Sequence, residues 1–174
     1  MMKIMFGTWS IAGALFAMSL TAAAQNPALS TIYTDEQIEE QIQRYHKANA
    51  HEVFPDERLS KQLKKDFPAA HDVEWETADG IYEVEFEINR QDYKVWYDNV
   101  GNLLMYAFDV RLSEVPAVIR NAAKTKYPGF KLDRDAKKIL RRKSVFYEIT
   151  VEKGETEMEA TFKDDGSFVK ERYD

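Results

Sequence analysis

Residues 82–101, YEVEFEINRQDYKVWYDNVG, and residues 147–166, YEITVEKGETEMEATFKDDG, follow one plan. Each opens on Tyr-Glu before Val84 or Ile149, runs on to Tyr97 or Phe162, and closes on Asp98-Asn99-Val100-Gly101 or Lys163-Asp164-Asp165-Gly166. From Tyr82 to Tyr147 and from Gly101 to Gly166 the offset is a constant 65 residues. Alternation of period two marks strands with one buried face, and Asp-x-x-Gly between two such runs suits a type I turn closed by a glycine bulge. That turn predicts Asp98 opposite Asn102, Tyr97 opposite Leu103, Trp96 opposite Leu104, Val95 opposite Met105 and Lys94 opposite Tyr106. A short turn at Arg90-Gln91 predicts Ile88 opposite Tyr93 and Phe86 opposite Val95, and places Lys94 opposite Glu87. One face then reads Tyr82, Val84, Phe86, Ile88, Tyr93, Val95, Tyr97, Leu103, Met105, Ala107 and should lie on helices. The other reads Glu83, Glu85, Glu87, Lys94, Trp96, Leu104, Tyr106, Phe108.

Working outward, each hairpin is preceded by a helical pattern. Leu59, Leu63 and Phe67 recur every four residues between Pro55 and Pro68, and Ile119, Ala123 and Tyr127 do so between Pro116 and Pro128. Pro55 is expected at the first helical position, where its missing N–H costs nothing. The offset from Phe67 to Tyr127 is 60, so the second copy carries a five-residue insertion between its helix and its Tyr-Glu strand. A unit of under about 60 residues buries little more than half of its unfolded surface, so the two copies are expected to share one sheet and one core. Further upstream, Thr34 and Gln37 form a capping box for a short helix to about Lys47, with a narrow stripe of Ile38, Ile42 and Tyr45.

The chain has 174 residues, 24 Lys+Arg against 30 Asp+Glu, a net charge of −6 and no Cys. The absence of Cys excludes disulfide scaffolds, thiol catalysis and Cys-ligated zinc. The negative charge argues against nucleic acid as a partner. Residues 1–24 read as a secretory signal: Lys3, an apolar run, then Ala22-Ala23-Ala24, with cleavage expected before Gln25. The expected product is periplasmic or secreted, with no stable membrane insertion after cleavage. The resulting division is signal peptide 1–24, an N-terminal segment with a short helix 25–53, repeat one 54–110 and repeat two 111–174.

The paired order of helix, Phe/Tyr-Pro, Tyr-Glu-Val/Ile and aromatic-Asp/Lys-x-x-Gly over residues 54–174 resembles the PepSY-like family of bacterial envelope proteins, related in fold to the β-lactamase inhibitor protein. The resemblance implies an α+β fold: two tandem helix-plus-strand repeats forming one curved antiparallel sheet, backed by helices on one face and free to bind on the other. It implies a periplasmic setting and an association with inhibition, and carries over no functional residue.

Catalysis finds no foothold in the sequence, and the chain is expected not to be an enzyme and to need no cofactor. His46 and His51 are five apart, off a shared helical face, and His71 stands beside Asp72, so no metal site is expected. Ser60, Ser113, Ser144 and Ser167 lie without a neighbouring His, and no glycine-rich phosphate loop is present. Glu83, Glu85 and Glu87 read as a solvated row with cross-strand ion pairs. The basic run Lys137, Lys138, Arg141, Arg142, Lys143 reads either as a charged edge strand or as a docking arm.

Two functions follow. One is a binding module that recognises or inhibits a protein partner in the envelope through the free sheet face; the other is a small-ligand or lipid-headgroup binder. The expected partner-binding residues are Trp96, Tyr106 and Phe108, with Leu104 beneath and Lys94 and Glu85 at the rim. The competing reading of that aromatic patch is that the chain covers it with its own Ile38, Ile42, Tyr45 stripe.

Overall fold

The computed structural model describes residues 27–173, so the expected signal sequence at 1–24 lies outside the described residues. Among them are helices α1 (Asp35–Lys47), α2 (Glu57–Asp66) and α3 (Ala117–Lys126) and strands β1 (His51–Glu52), β2 (His71–Ala78), β3 (Ile81–Ile88), β4 (Gln91–Asp98), β5 (Leu103–Arg111), β6 (Lys131–Arg141), β7 (Ser144–Lys153), β8 (Thr156–Lys163) and β9 (Phe168–Tyr173). The strands form one open antiparallel sheet in chain order. Repeat one supplies α2 and β2 to β5, and repeat two supplies α3 and β6 to β9.

The sheet is shared, but the core is not. α2 packs Leu59, Leu63 and Phe67 on Val84, Phe86, Val95 and Tyr97. α3 packs Ile119, Ala123 and Tyr127 on Ile149, Val151, Ala160 and Phe162 as a separate cluster. The expectation of a single core fails on width: nine strands about 4.8 Å apart span about 38 Å, and one helix covers about 10 Å. A third cluster lies on the opposite face, where Ile38, Ile42 and Tyr45 of α1 meet Ile81, Trp96, Leu104 and Met105. The face opposite α2 and α3 is therefore covered by α1 over repeat one, and no described helix packs its apolar stripe on that face over repeat two.

Local sequence accounts for the ends. Thr34 and Gln37 form the expected capping box of α1, with Thr34 Oγ1 accepting from Gln37 N at 3.2 Å. α2 starts later than expected: its first helical residue is Glu57 rather than Pro55, and Asp56 caps it, its carboxylate accepting from Leu59 N at 2.9 Å. The turns at Asp98 and Lys163 both close as type I turns with a glycine bulge, Gly101 at φ 88° and Gly166 at φ 87°. A side chain at Gly166 would also press on Val118 at 3.0 Å.

The five-residue insertion resolves into two parts. In β2 one extra residue bulges between the pairs His71↔Glu87 and Glu74↔Glu85; in β6 two do so, between Leu132↔Val151 and Ala136↔Ile149. The remaining four extend the β6–β7 hairpin, whose pair Ile139↔Phe146 matches Ala78↔Ile81 and is followed by Leu140↔Val145 and Arg141↔Ser144.

Two register expectations are corrected. The β3–β4 turn is Asn89-Arg90, both left-handed at φ 54° and 65°, so Ile88 pairs with Gln91, Phe86 with Tyr93 and Lys94 with Glu85 rather than Glu87. This shift is two residues, so every side chain keeps its face. The second correction is odd and flips faces: after Tyr97↔Leu103, β5 inserts one residue and Trp96 pairs with Met105, Val95 with Tyr106 and Tyr93 with Phe108.

Candidate functional site

The bulge at Leu104 divides the six expected partner-binding residues. Tyr106 and Phe108 turn to the α2 side, where Tyr106 is buried and its ring lies 5.6 Å from that of Phe67. Leu104 and Met105 turn together to the side of Trp96, under α1. Trp96 is 4% exposed and Leu104 0%, so the expected exposed aromatic patch is not one face and not on the surface. Of the two readings of that patch, the chain's own helix is the one in place. Lys94 and Glu85 do share the outer face: Lys94 Nζ lies 2.5 Å from Glu85 and 3.1 Å from Glu83. Burial favours the neutral amine, but the two carboxylates outweigh it and raise the Lys94 pKa.

α1 is fastened at its ends by polar contacts and along its middle by its apolar stripe. Tyr45 donates to Glu76 at 3.3 Å, Arg44 pairs with Asp79 at 2.8 Å, and Ser144 donates to Asp35 at 2.7 Å. Glu39 reaches across to repeat two, 2.5 Å from Arg141 Nη1 and 2.6 Å from Lys170 Nζ. Burial alone would raise the Glu39 pKa; Lys170 and Arg141 overcome it and lower it to about 2. The fit is incomplete, since Asp35 Oδ1, Glu83 Oε2, Trp96 Nε1 and Arg141 Nε are buried without a hydrogen-bond partner. The Asp35 Oδ1 and Arg141 Nε pair is held at 3.6 Å.

Between α1 and the outer face of β4 to β9 lies a groove of about 240 Å³, which Trp96, Met105 and Ala107 line from the repeat-one side. Its floor includes Ile139, Phe146, Glu148 and Thr161; Val169, Lys170 and Arg172 of β9 form one side and Glu39, Gln43 and His46 of α1 the other. Five cationic side chains line it, Lys94, Lys137, Arg141, Lys170 and Arg172, against the carboxylates of Glu39 and Glu148. Each of the five cations lies against a carboxylate of the same chain: Lys94 against Glu83 and Glu85, Lys137 against Glu148, Arg141 against Asp35 and Glu39, Lys170 against Glu39, and Arg172 against Glu159. Burial, helped by Glu159 and opposed by Lys137, raises the Glu148 pKa. Lys137 lies 3.7 Å from Glu148, and Arg172 pairs with Glu159.

The groove was missed in the sequence. The basic run is also relocated. β6 is an interior strand, not an edge: Lys137 and Arg141 project into the groove, Lys138 lies 5.9 Å from the Phe108 ring on the α2 side, and Arg142 sits at the hairpin tip with φ 52°. The histidines are dispersed over α1, β1 and β2; His71 Nδ1 lies 2.9 Å from Asp72. Among the described residues no group of His, Asp and Glu side chains is arranged to hold a metal. Nor is any described helix long and apolar enough to cross a membrane.

Two overlapping stretches, residues 35–105 and 80–170, match the family model described as "Putative beta-lactamase-inhibitor-like, PepSY-like". Similar solved structures include a DUF2874 family protein from Bacteroides uniformis, at 24% identity over 69% of this chain and 90% of that one, with a TM-score of 0.62. A structure from Bacteroides eggerthii described as "putative periplasmic proteins" has 21% identity, covers 70% and 90%, and gives 0.63. A BLIP-like protein from Bacteroides fragilis has 22% identity, covers 70% and 87%, and gives 0.60. At these identities the likeness is one of fold. No curated protein matches the chain.

Proposed function

Since the chain belongs to the PepSY-like, β-lactamase-inhibitor-like family, we propose that it is a non-catalytic binding protein of the cell envelope that recognises a protein partner through the open half of its outer sheet face. The observation that carries this reading is the groove itself: a concave, partly apolar strip with a rim of paired charges, running between α1 and β9 on the outer face of the sheet. Apolar floor and polar rim are the anatomy of a protein-recognition surface. The signal-like residues 1–24 and the periplasmic description of the Bacteroides eggerthii structure support an envelope location.

The test is site-specific photo-crosslinking in envelope extract. A photoreactive residue at Val169, in the groove wall, is compared with one at Val118 on α3, of similar exposure on the other face. The reading expects a discrete adduct from position 169, absent from position 118 and lost when Lys170 and Arg172 are both changed to Glu. The same adducts from both positions, or none from 169, would refute it.

A further inference from the structure

The sheet is open, and its two edges are finished differently. At the first edge β2 is overlaid by β1, only two residues long, and beside it β2 is broken by the bulge between His71 and Glu74, with Asp72 left-handed at φ 52°. A short, bulged edge is a poor template for another strand. At the other edge β9 runs for six residues, all exposed, with β8 on one side and no described strand on the other. Its own bulge, at Val169, lies near its start and leaves the ladder from Lys170 to Tyr173 regular. Lys163 N donates to Ser167 O across the β8–β9 turn, and Asp164 N donates to Val145 O of β7, so along β8 the odd-numbered residues turn to β9. Lys170 and Arg172, opposite Thr161 and Glu159, therefore turn their main chain back to β8, and Glu171 and Tyr173 direct their N–H and C=O groups outward.

Resting on the reading that the chain recognises a protein, we propose that the partner contributes an extended segment that adds to β9 as a further antiparallel strand, with apolar side chains at alternate positions on the α3 side. The outward main chain of Glu171 and Tyr173 presents donors and acceptors at strand spacing, which another extended backbone satisfies in register. The side chains of the same row set the chemistry of the occupant. Glu171 lies on the α3 side, where its carboxylate accepts from Tyr127 Oη at 2.6 Å, and Tyr173, two residues on, stands opposite Met158 of the α3 cluster. Phe168 is held under Lys126, whose Nζ lies 3.7 Å from the ring centroid. Phe168 and Tyr173 are both exposed at the margin of that cluster, so apolar side chains of an added strand would remove them from water. A second copy of this chain does not suit the edge. Two-fold antiparallel pairing sets one residue opposite itself, and in every register that pairs more than three residues of β9 that residue is Lys170 or Glu171. Either choice opposes like charges across the strands.

The probe is a capped peptide of residues 156–163, TEMEATFK, the strand sequence that β9 already accepts on its inner side and that carries Met158, Ala160 and Phe162 on one face. It is added to the isotopically labelled protein, and amide hydrogen exchange is read residue by residue. The Glu171 and Tyr173 amides should exchange at least about tenfold more slowly with the peptide present. N-methylation of the peptide at Met158 and Ala160, whose N–H groups would face β9, should abolish this protection, and N-methylation at Glu159 and Thr161 should leave it. In the protein, Glu171→Pro deletes an outward N–H without touching the ladder to β8, a change that edge strands tolerate, and should abolish protection of Tyr173, whereas Glu171→Ala should retain it. No protection at either amide, the same result from the two N-methylation patterns, or protection that appears without peptide as the protein concentration is raised, the mark of a second copy, overturns the proposal. If position 169 crosslinks a protein while no peptide protects β9, the chain still recognises a protein and strand addition alone is wrong.

Discussion

Trp96 and Thr161 stand at the same position of the two repeats, 65 residues apart, and only one of them is roofed by a helix: Trp96 lies in the cluster beneath α1, while Thr161 lies on the floor of the open groove. Trp96 thus supports the seat of α1. Trp96→Ala should cost about 3–5 kcal/mol, because it empties a packed aromatic site, and Trp96→Glu should also lower the melting temperature by burying a charge. Val169→Ala, at a position 40% exposed, should cost less than about 1 kcal/mol. Urea unfolding of the three variants checks the order.

The Glu39 carboxylate ties α1 to the second repeat and should make stability pH-dependent. Its pKa is lowered to about 2 in the fold against about 4.3 in the unfolded chain, so its contribution is fully present above pH 5 and is lost as the pH falls towards 2. After discounting for solvent screening, the contribution is about 1 kcal/mol. Glu39→Gln should be less stable by that amount at pH 7 and equal to the parent near pH 2. Equal stability at pH 7, measured by urea unfolding, would show that the Arg141 and Lys170 contacts contribute nothing.

Removing residues 27–50 should expose Ile81, Trp96, Leu104 and Met105 at once. The loss of buried Ile38, Ile42 and Tyr45 alone is worth about 1.5–3 kcal/mol per side chain. The shortened chain is expected to aggregate at concentrations where the parent is monodisperse by light scattering.

The strands, the two helix-hairpin units and the capping box of α1 are legible because each rests on local chemistry: period-two alternation, Asp-x-x-Gly turns, and Thr34 with Gln37. The faces of β5 are not. Leu103 to Phe108 is an unbroken apolar run, LLMYAF, so either register leaves both faces apolar and no polar residue betrays the bulge at Leu104. That single inserted residue moves Tyr106 and Phe108 to the α2 side and dissolves the expected patch. The groove eludes reading for a different reason: its residues come from α1, β4, β5, β6, β7, β8 and β9 and are joined only by the sheet. What could have found it is the repeat, by asking which residues stand 65 positions after those that α1 covers.

The Asn89-Arg90 turn, with both residues left-handed, is of the kind that favours Asn-Gly. Asn tolerates this conformation and Arg pays a steric cost there. Arg90→Gly should therefore raise stability by about 0.5–1 kcal/mol with the hairpin unchanged, measured as an increase in Tm.

The claim at the centre of this account is that α1 covers the outer face of the first repeat and leaves the equivalent position on β9 of the second exposed. Because the chain has no Cys, it can be tested with single-cysteine variants at the two equivalent positions, Leu104→Cys and Val169→Cys, by timing their reaction with a maleimide. Leu104 is 0% exposed and Val169 40%, so position 169 should react about a hundredfold faster or more. Comparable rates at the two positions would contradict it.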